Sequence, residues 1–69
     1  MTPAELRTIL HIYAMTQAEL ADYLGVSRRA VVFWLSGERS ISRPVELAIR
    51  DMAGRLHRIS APLSHPGAR

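Results

Sequence analysis

The chain has 69 residues, enough for one small domain that buries about 60% of its unfolded surface. It contains no cysteine, so disulfides and thiolate metal sites are excluded, and no apolar run approaches the ~20 residues of a membrane span. The net charge is +3 and every cation but the chain terminus is an arginine, whose planar fork suits bidentate contacts to phosphate or guanine.

The positive charge is unevenly placed. Residues 1–24 carry Arg7 against Glu5, Glu19 and Asp22, a net of −2. Residues 25–58 carry seven arginines against Glu38, Glu46 and Asp51, a net of +4. A basic segment of this kind suits a polyanion, or is simply a solvated surface. With no signal peptide in the sequence, the expectation is a soluble, cytoplasmic protein.

In chain order, Thr2-Pro3-Ala4-Glu5 reads as a capping box with proline at the first helical position. A first helix is predicted from Pro3 to Ile12 or Tyr13, with Leu6, Ile9, Leu10 and Tyr13 on its apolar face. After a short Ala14-Met15 link, Thr16 and Glu19 form a second capping box, with Met15 and Leu20 at the staple positions. The second helix is predicted over 17–24, and Gly25 suits its left-handed exit. Ser27 then caps a third helix, 28–36, that carries Arg28 and Arg29 in its first turn and ends at Gly37. Glu38–Ser42 is a polar loop with Ile41 tucked inward. A fourth helix starts at Arg43 or Pro44, capped by Ser42, and stops between Leu56 and Ile59. Val45, Ile49, Met52, Leu56 and Ile59 form its continuous apolar stripe, with Gly54 facing away. The tail from Ser60, SAPLSHPGAR, holds two prolines and a glycine and is expected to be flexible, giving a domain over 1–59 and a tail over 60–69. The fold class is therefore all-α, a compact bundle of four short helices, or five.

Spacing identifies the centre of the chain. Ala21, Gly25, Val31 and Trp34 fall at A-x3-G-x5-V-x2-W within TQAELADYLGVSRRAVVFWLSG. Ala21 is small where two helices cross closely. Val31 and Trp34 lie three apart on one face and plug the angle between them, so Trp34 reads as core and not as a stacking platform. This is a helix-turn-helix, and its second helix presents two arginines to whatever it docks against. Tyr13 and Tyr23 read as structural or rim residues.

TQAELADYLGVSRRAVVFWLSGER resembles the Cro- and lambda-repressor-like, or XRE-type, helix-turn-helix domains, with a looser match from Pro3 through RPVELAIRDMA to Leu56. The resemblance implies a sequence-specific DNA-binding regulator, commonly an autoregulatory repressor, from a bacterium or phage. It places Gln17 on a phosphate, Ser27, Arg28 and Arg29 on base edges, and Phe33 in the groove one turn later. Ser36, Arg39 and Arg43 would touch the backbone. Three residues, at two places, depart from the pattern of the domains it resembles. Val32 and Phe33 stand where polar or basic residues are common, and Leu35 stands where glutamate is common. Phe33 then packs on a thymine methyl or belongs to a protein contact.

Adjacent helical positions point about 100° apart, so Arg28 and Arg29 cannot address one base; Arg28 is favoured as the base reader. Cations at a helix N-terminus oppose the dipole, a penalty that a bound phosphate removes. One reading helix covers few base pairs, so a homodimer on an inverted repeat of double-stranded DNA is expected, half-sites ~34 Å apart. Met52, Leu56 and Ile59 are the candidate dimer face, with Val32, Phe33 and Leu35 as the alternative patch. A second reading is an antitoxin or adaptor module whose main surface meets a protein partner, supported by the tail and by Phe33 and Leu35. His11, His57 and His65 lack metal-ligand spacing, and Asp51, His57 and Ser60 offer no buried, oriented triad. No metal, cofactor, small-molecule ligand or enzymatic activity is expected.

Overall fold

Three side chains start the first three helices. In the computed structural model, which describes residues 1–60 and their side chains to residue 57, α1 spans Pro3–Ile12, α2 Gln17–Leu24, α3 Arg28–Ser36 and α4 Arg43–Ser60. Thr2 accepts from the Glu5 amide at 3.1 Å while Glu5 accepts from the Thr2 amide at 2.8 Å. Thr16 and Glu19 repeat the box at 3.0 and 2.8 Å. Ser27 accepts from the Ala30 amide at 3.2 Å. Each bond satisfies a donor that the first turn of a helix leaves without an intrahelical partner. Ser42 takes the first bond of α4 on its carbonyl, from the Glu46 amide at 2.9 Å.

Left-handed residues stop the helices. Gly25 (φ 71°) and Gly37 (φ 84°) close α2 and α3, as their missing Cβ allows. The turn after α1 uses Ala14 at φ 51°, where a side chain is strained. Two backbone bonds hold it there, from Ala14 N–H to the His11 carbonyl and from Met15 N–H to the Leu10 carbonyl.

The four helices converge on one apolar cluster: Leu6 and Leu10 from α1, Leu20 and Ala21 from α2, Val31 and Trp34 from α3, Ile49 and Met52 from α4. Met15, Ile41, Val45 and Leu56 pack on its edge. Ala21, Val31 and Trp34 sit together as the spacing predicted. The inward turn of Ile41 also holds.

Two expectations change. Helix α4 continues to Ser60, beyond the predicted stop at Leu56 to Ile59. Gly54 lies exposed and off the buried face, and the Asp51–Arg55 ion pair at 3.0 Å spans it on the solvent side, so the glycine does not break the helix. Met52, expected on a dimer face, is 2% exposed in the core. The apolar cluster already covers that turn of the stripe, so Met52 holds α4 to its own chain. Leu56 is half-buried on the cluster edge. The Ile59 side chain and residues 61–69 lie outside the described residues.

Candidate nucleic-acid interface

Helix α3 presents the candidate reading surface because its buried side is fixed by Val31 and Trp34. With those two inward, Ser27, Arg28, Arg29 and Val32 are exposed and Phe33 is half-buried. Ser27 uses an oxygen lone pair as the cap and keeps its own hydroxyl proton to donate. The first turn of α3 contains no acidic residue to neutralise the two arginines.

Six of the described arginines divide into two groups. On α4 the described ones are paired: Arg43 with Glu46 at 3.5 Å, Arg50 with Glu46 at 2.8 Å, and Arg55 with Asp51 at 3.0 Å. Among the described residues Arg28, Arg29 and Arg39 have no carboxylate partner. The excess positive charge is thus concentrated on α3 and the loop behind it. Arg43 stands between the groups. It is 71% exposed and its ion pair is one helical turn long, so it exchanges easily for a phosphate.

Glu46 is the most buried acid and gathers three cations. The Arg50 guanidinium and the Met1 amino group, at 2.8 and 3.1 Å, hydrogen-bond its carboxylate and hold its pKa below the ordinary glutamate range. This hub fixes α4 and the chain start relative to each other.

Gln17, at the start of α2, faces Arg28 across a surface groove of about 570 Å³ that Thr16 and Leu35 also line. Arg7 from α1 borders the same groove and donates to the Leu35 carbonyl at 3.0 Å. The sequence placed Arg7 only in the charge balance. The hydrogen bond spans 28 residues, so no local pattern announces it. The groove therefore brings together a first-turn amide side chain and two guanidinium groups, the donor types that bind phosphate oxygens.

The downstream end of α3 differs from a simple basic row. Ser36 donates its hydroxyl to the Phe33 carbonyl at 3.1 Å and accepts from the Glu38 amide at 3.3 Å. Its proton is committed to the helix end, and a phosphate contact from Ser36 requires that bond to open. The Arg39 amide also donates to the Phe33 carbonyl, at 3.3 Å. The guanidinium carbons of Arg29 and Arg39 lie 6.0 and 5.0 Å from the centre of the Phe33 ring. Leu35 packs on the core edge, and Tyr23 is exposed on α2.

Among the described residues, no group of three or more His, Asp or Glu is arranged to hold a metal ion, and no helix is long and apolar enough to cross a membrane. A family model described as helix-turn-helix matches residues 13–45, from the end of α1 through α2 and α3 to the start of α4. No curated protein and no solved structure matches the chain. The caps, the Gly25 turn, the Val31–Trp34 plug and the family match coincide on the same residues: the chain carries a DNA-binding helix-turn-helix domain of the XRE, Cro- and lambda-repressor-like type, the domain of a transcriptional regulator.

Proposed function

We propose that the protein is an autoregulatory repressor that binds an inverted-repeat operator as a homodimer, with α3 in the major groove. The observation that carries this reading is the set of Arg28, Arg29 and Arg39, unpaired among the described residues while Arg43, Arg50 and Arg55 on α4 are paired. Two cations in the first turn of α3 oppose its dipole, and an approaching polyanion removes that cost. Arg28 is the principal base reader, presenting both N–H donors to O6 and N7 of a guanine. Ser27, Arg29 and Phe33 complete the groove face. Gln17, Arg39 and Arg43 grip the backbone, with Ser36 at the turn that carries Arg39.

The dimer is proposed through the far end of α4, at Leu56 and Ile59. Two copies related by a two-fold axis then place their α3 helices about one helical turn of DNA apart, ~34 Å.

The alternative, an antitoxin or adaptor whose main surface meets a protein, draws on Phe33 and Leu35 as an apolar patch. Leu35 packs on the core and Phe33 lies beside two guanidinium groups, which favours the DNA reading. Fluorescence anisotropy tests it, comparing DNA from upstream of the protein's own gene with a scrambled duplex at two salt concentrations. The proposal expects tight, salt-sensitive binding with a strong preference for the native site. Weak, equal binding to both duplexes refutes operator readout. Loss of a co-purifying protein on removing residues 60–69, with DNA affinity unchanged and unselective, supports the alternative.

A further inference from the structure

Phe33 is half-buried, yet among the described residues it stands outside the apolar cluster and its packed rim. Its neighbours are cations. Arg29, one turn earlier on α3, and Arg39, from the following loop, both bring their guanidinium carbons within cation–π range of its ring. The approach of Arg39 is not accidental side-chain drift. Gly37 bends the chain back at φ 84°, and the Arg39 amide is tied to the Phe33 carbonyl. The residue is thus held to Phe33 by its backbone and its side chain together.

Neither arginine has a carboxylate partner among the described residues. Two like charges gathered at one ring repel each other, and the ring's quadrupole offsets this only in part. An anion beside both removes the repulsion and meets donors already immobilised, so less side-chain entropy is lost on binding.

We propose that Phe33 is a positioning residue, whose ring holds Arg29 and Arg39 together as one preformed clamp on the DNA backbone. This rests on the DNA-binding reading above and deepens it. The apolar residue standing where a polar or basic one is common then acts through the cations on either side of it in sequence. Base readout falls to Arg28 and Ser27.

The test compares Phe33→Leu, Phe33→Tyr and the unaltered protein. Leucine keeps the apolar bulk that a thymine methyl would meet but has no π face, while tyrosine keeps the face. Phosphate contacts are sequence-independent, so a short labelled duplex of arbitrary sequence serves as the probe, titrated over a range of salt. Phe33→Leu is expected to weaken binding about tenfold at low salt, the combined size of two exposed cation–π interactions. It should also flatten the dependence of log K on log salt by about 0.9 for each phosphate that is no longer neutralised. Phe33→Tyr should restore both affinity and slope. Arg39→Ala should cost less affinity in the Phe33→Leu background than alone, because the two act as a unit.

In the protein without DNA, NMR should show the Arg39 side-chain protons shifted by the ring current of Phe33. Phe33→Leu should abolish that shift and Phe33→Tyr should keep it. An unaltered salt slope in Phe33→Leu, failure of tyrosine to rescue, or the absence of the ring-current shift while DNA binding persists would overturn the clamp alone. A parent protein with no affinity for any duplex would overturn the DNA reading itself, and the clamp with it.

Discussion

Arg28→Glu separates folding from function, because the two should move in opposite directions. Arg28 occupies the first position of α3, where helix dipole and free amides favour an anion. Its guanidinium makes no ion pair or hydrogen bond among the described residues, so replacing it breaks neither kind of bond there. Taking away a misplaced cation gains about 0.3–1 kcal/mol, and supplying an anion gains a similar amount. A net gain near 1 kcal/mol corresponds to a rise in Tm of about 4–8 °C for a domain of this size. DNA binding forfeits the bidentate bonds to guanine, about 1–3 kcal/mol, and acquires a charge that phosphates repel. Affinity for the native site should therefore fall roughly 10-fold to 100-fold or more. Circular-dichroism melting at low salt reads the first effect and anisotropy the second. Repeating the melt near 1 M salt, where screening acts within about 3 Å, should erase most of the stability gain. A lower Tm at low salt, or undiminished binding to the native site, would refute the assignment of Arg28.

Gly25→Ala should cost about 1–2 kcal/mol in urea denaturation from backbone strain alone, since φ is 71° and an added Cβ meets nothing within 4 Å; an unchanged midpoint would contradict the left-handed turn. Leu20→Ala removes a fully buried side chain of the cluster and should destabilise by about 2–5 kcal/mol, enough to leave much of a small domain unfolded, as seen by melting. The pKa of Glu46 is depressed in the folded state by Arg50 and the Met1 amino group, so its contribution is present above the unfolded value of about 4.3 and is lost as pH falls through the lower folded value. Glu46→Gln should flatten stability against pH in that acid window, and denaturation profiles with the same acid slope as the parent would argue against the hub. Leu56→Arg should yield a folded monomer by sedimentation with weakened operator binding; a dimer that survives it would move the interface elsewhere.

The helix boundaries were legible because their causes are local. Thr2–Glu5, Thr16–Glu19 and Ser27–Ala30 each act across three residues, and Gly25 and Gly37 act on their own backbone. A pattern read along the chain captures interactions of that range. The apolar stripe of α4 was equally visible, but periodicity assigns a residue to a face and not to what covers it. Met52 belongs to the stripe, and only the packing of α4 into the common cluster decides that its turn is core. The sequence also showed an excess of arginine after residue 24, without showing which members of it are neutralised.

By itself, then, the sequence determined the first three helices, the caps at Thr2, Thr16 and Ser27 and the stops at Gly25 and Gly37, since these follow from short-range hydrogen bonding and a 3.6-residue period. Tertiary structure alone decided that Arg7 reaches the Leu35 carbonyl 28 residues away, that Arg28 shares a groove with Gln17, and that Phe33 gathers Arg29 and Arg39. Apart from the Arg29–Phe33 step of one helical turn, those interactions join groups on different elements, and their distances are set by how the chain packs, a three-dimensional constraint that no one-dimensional spacing encodes.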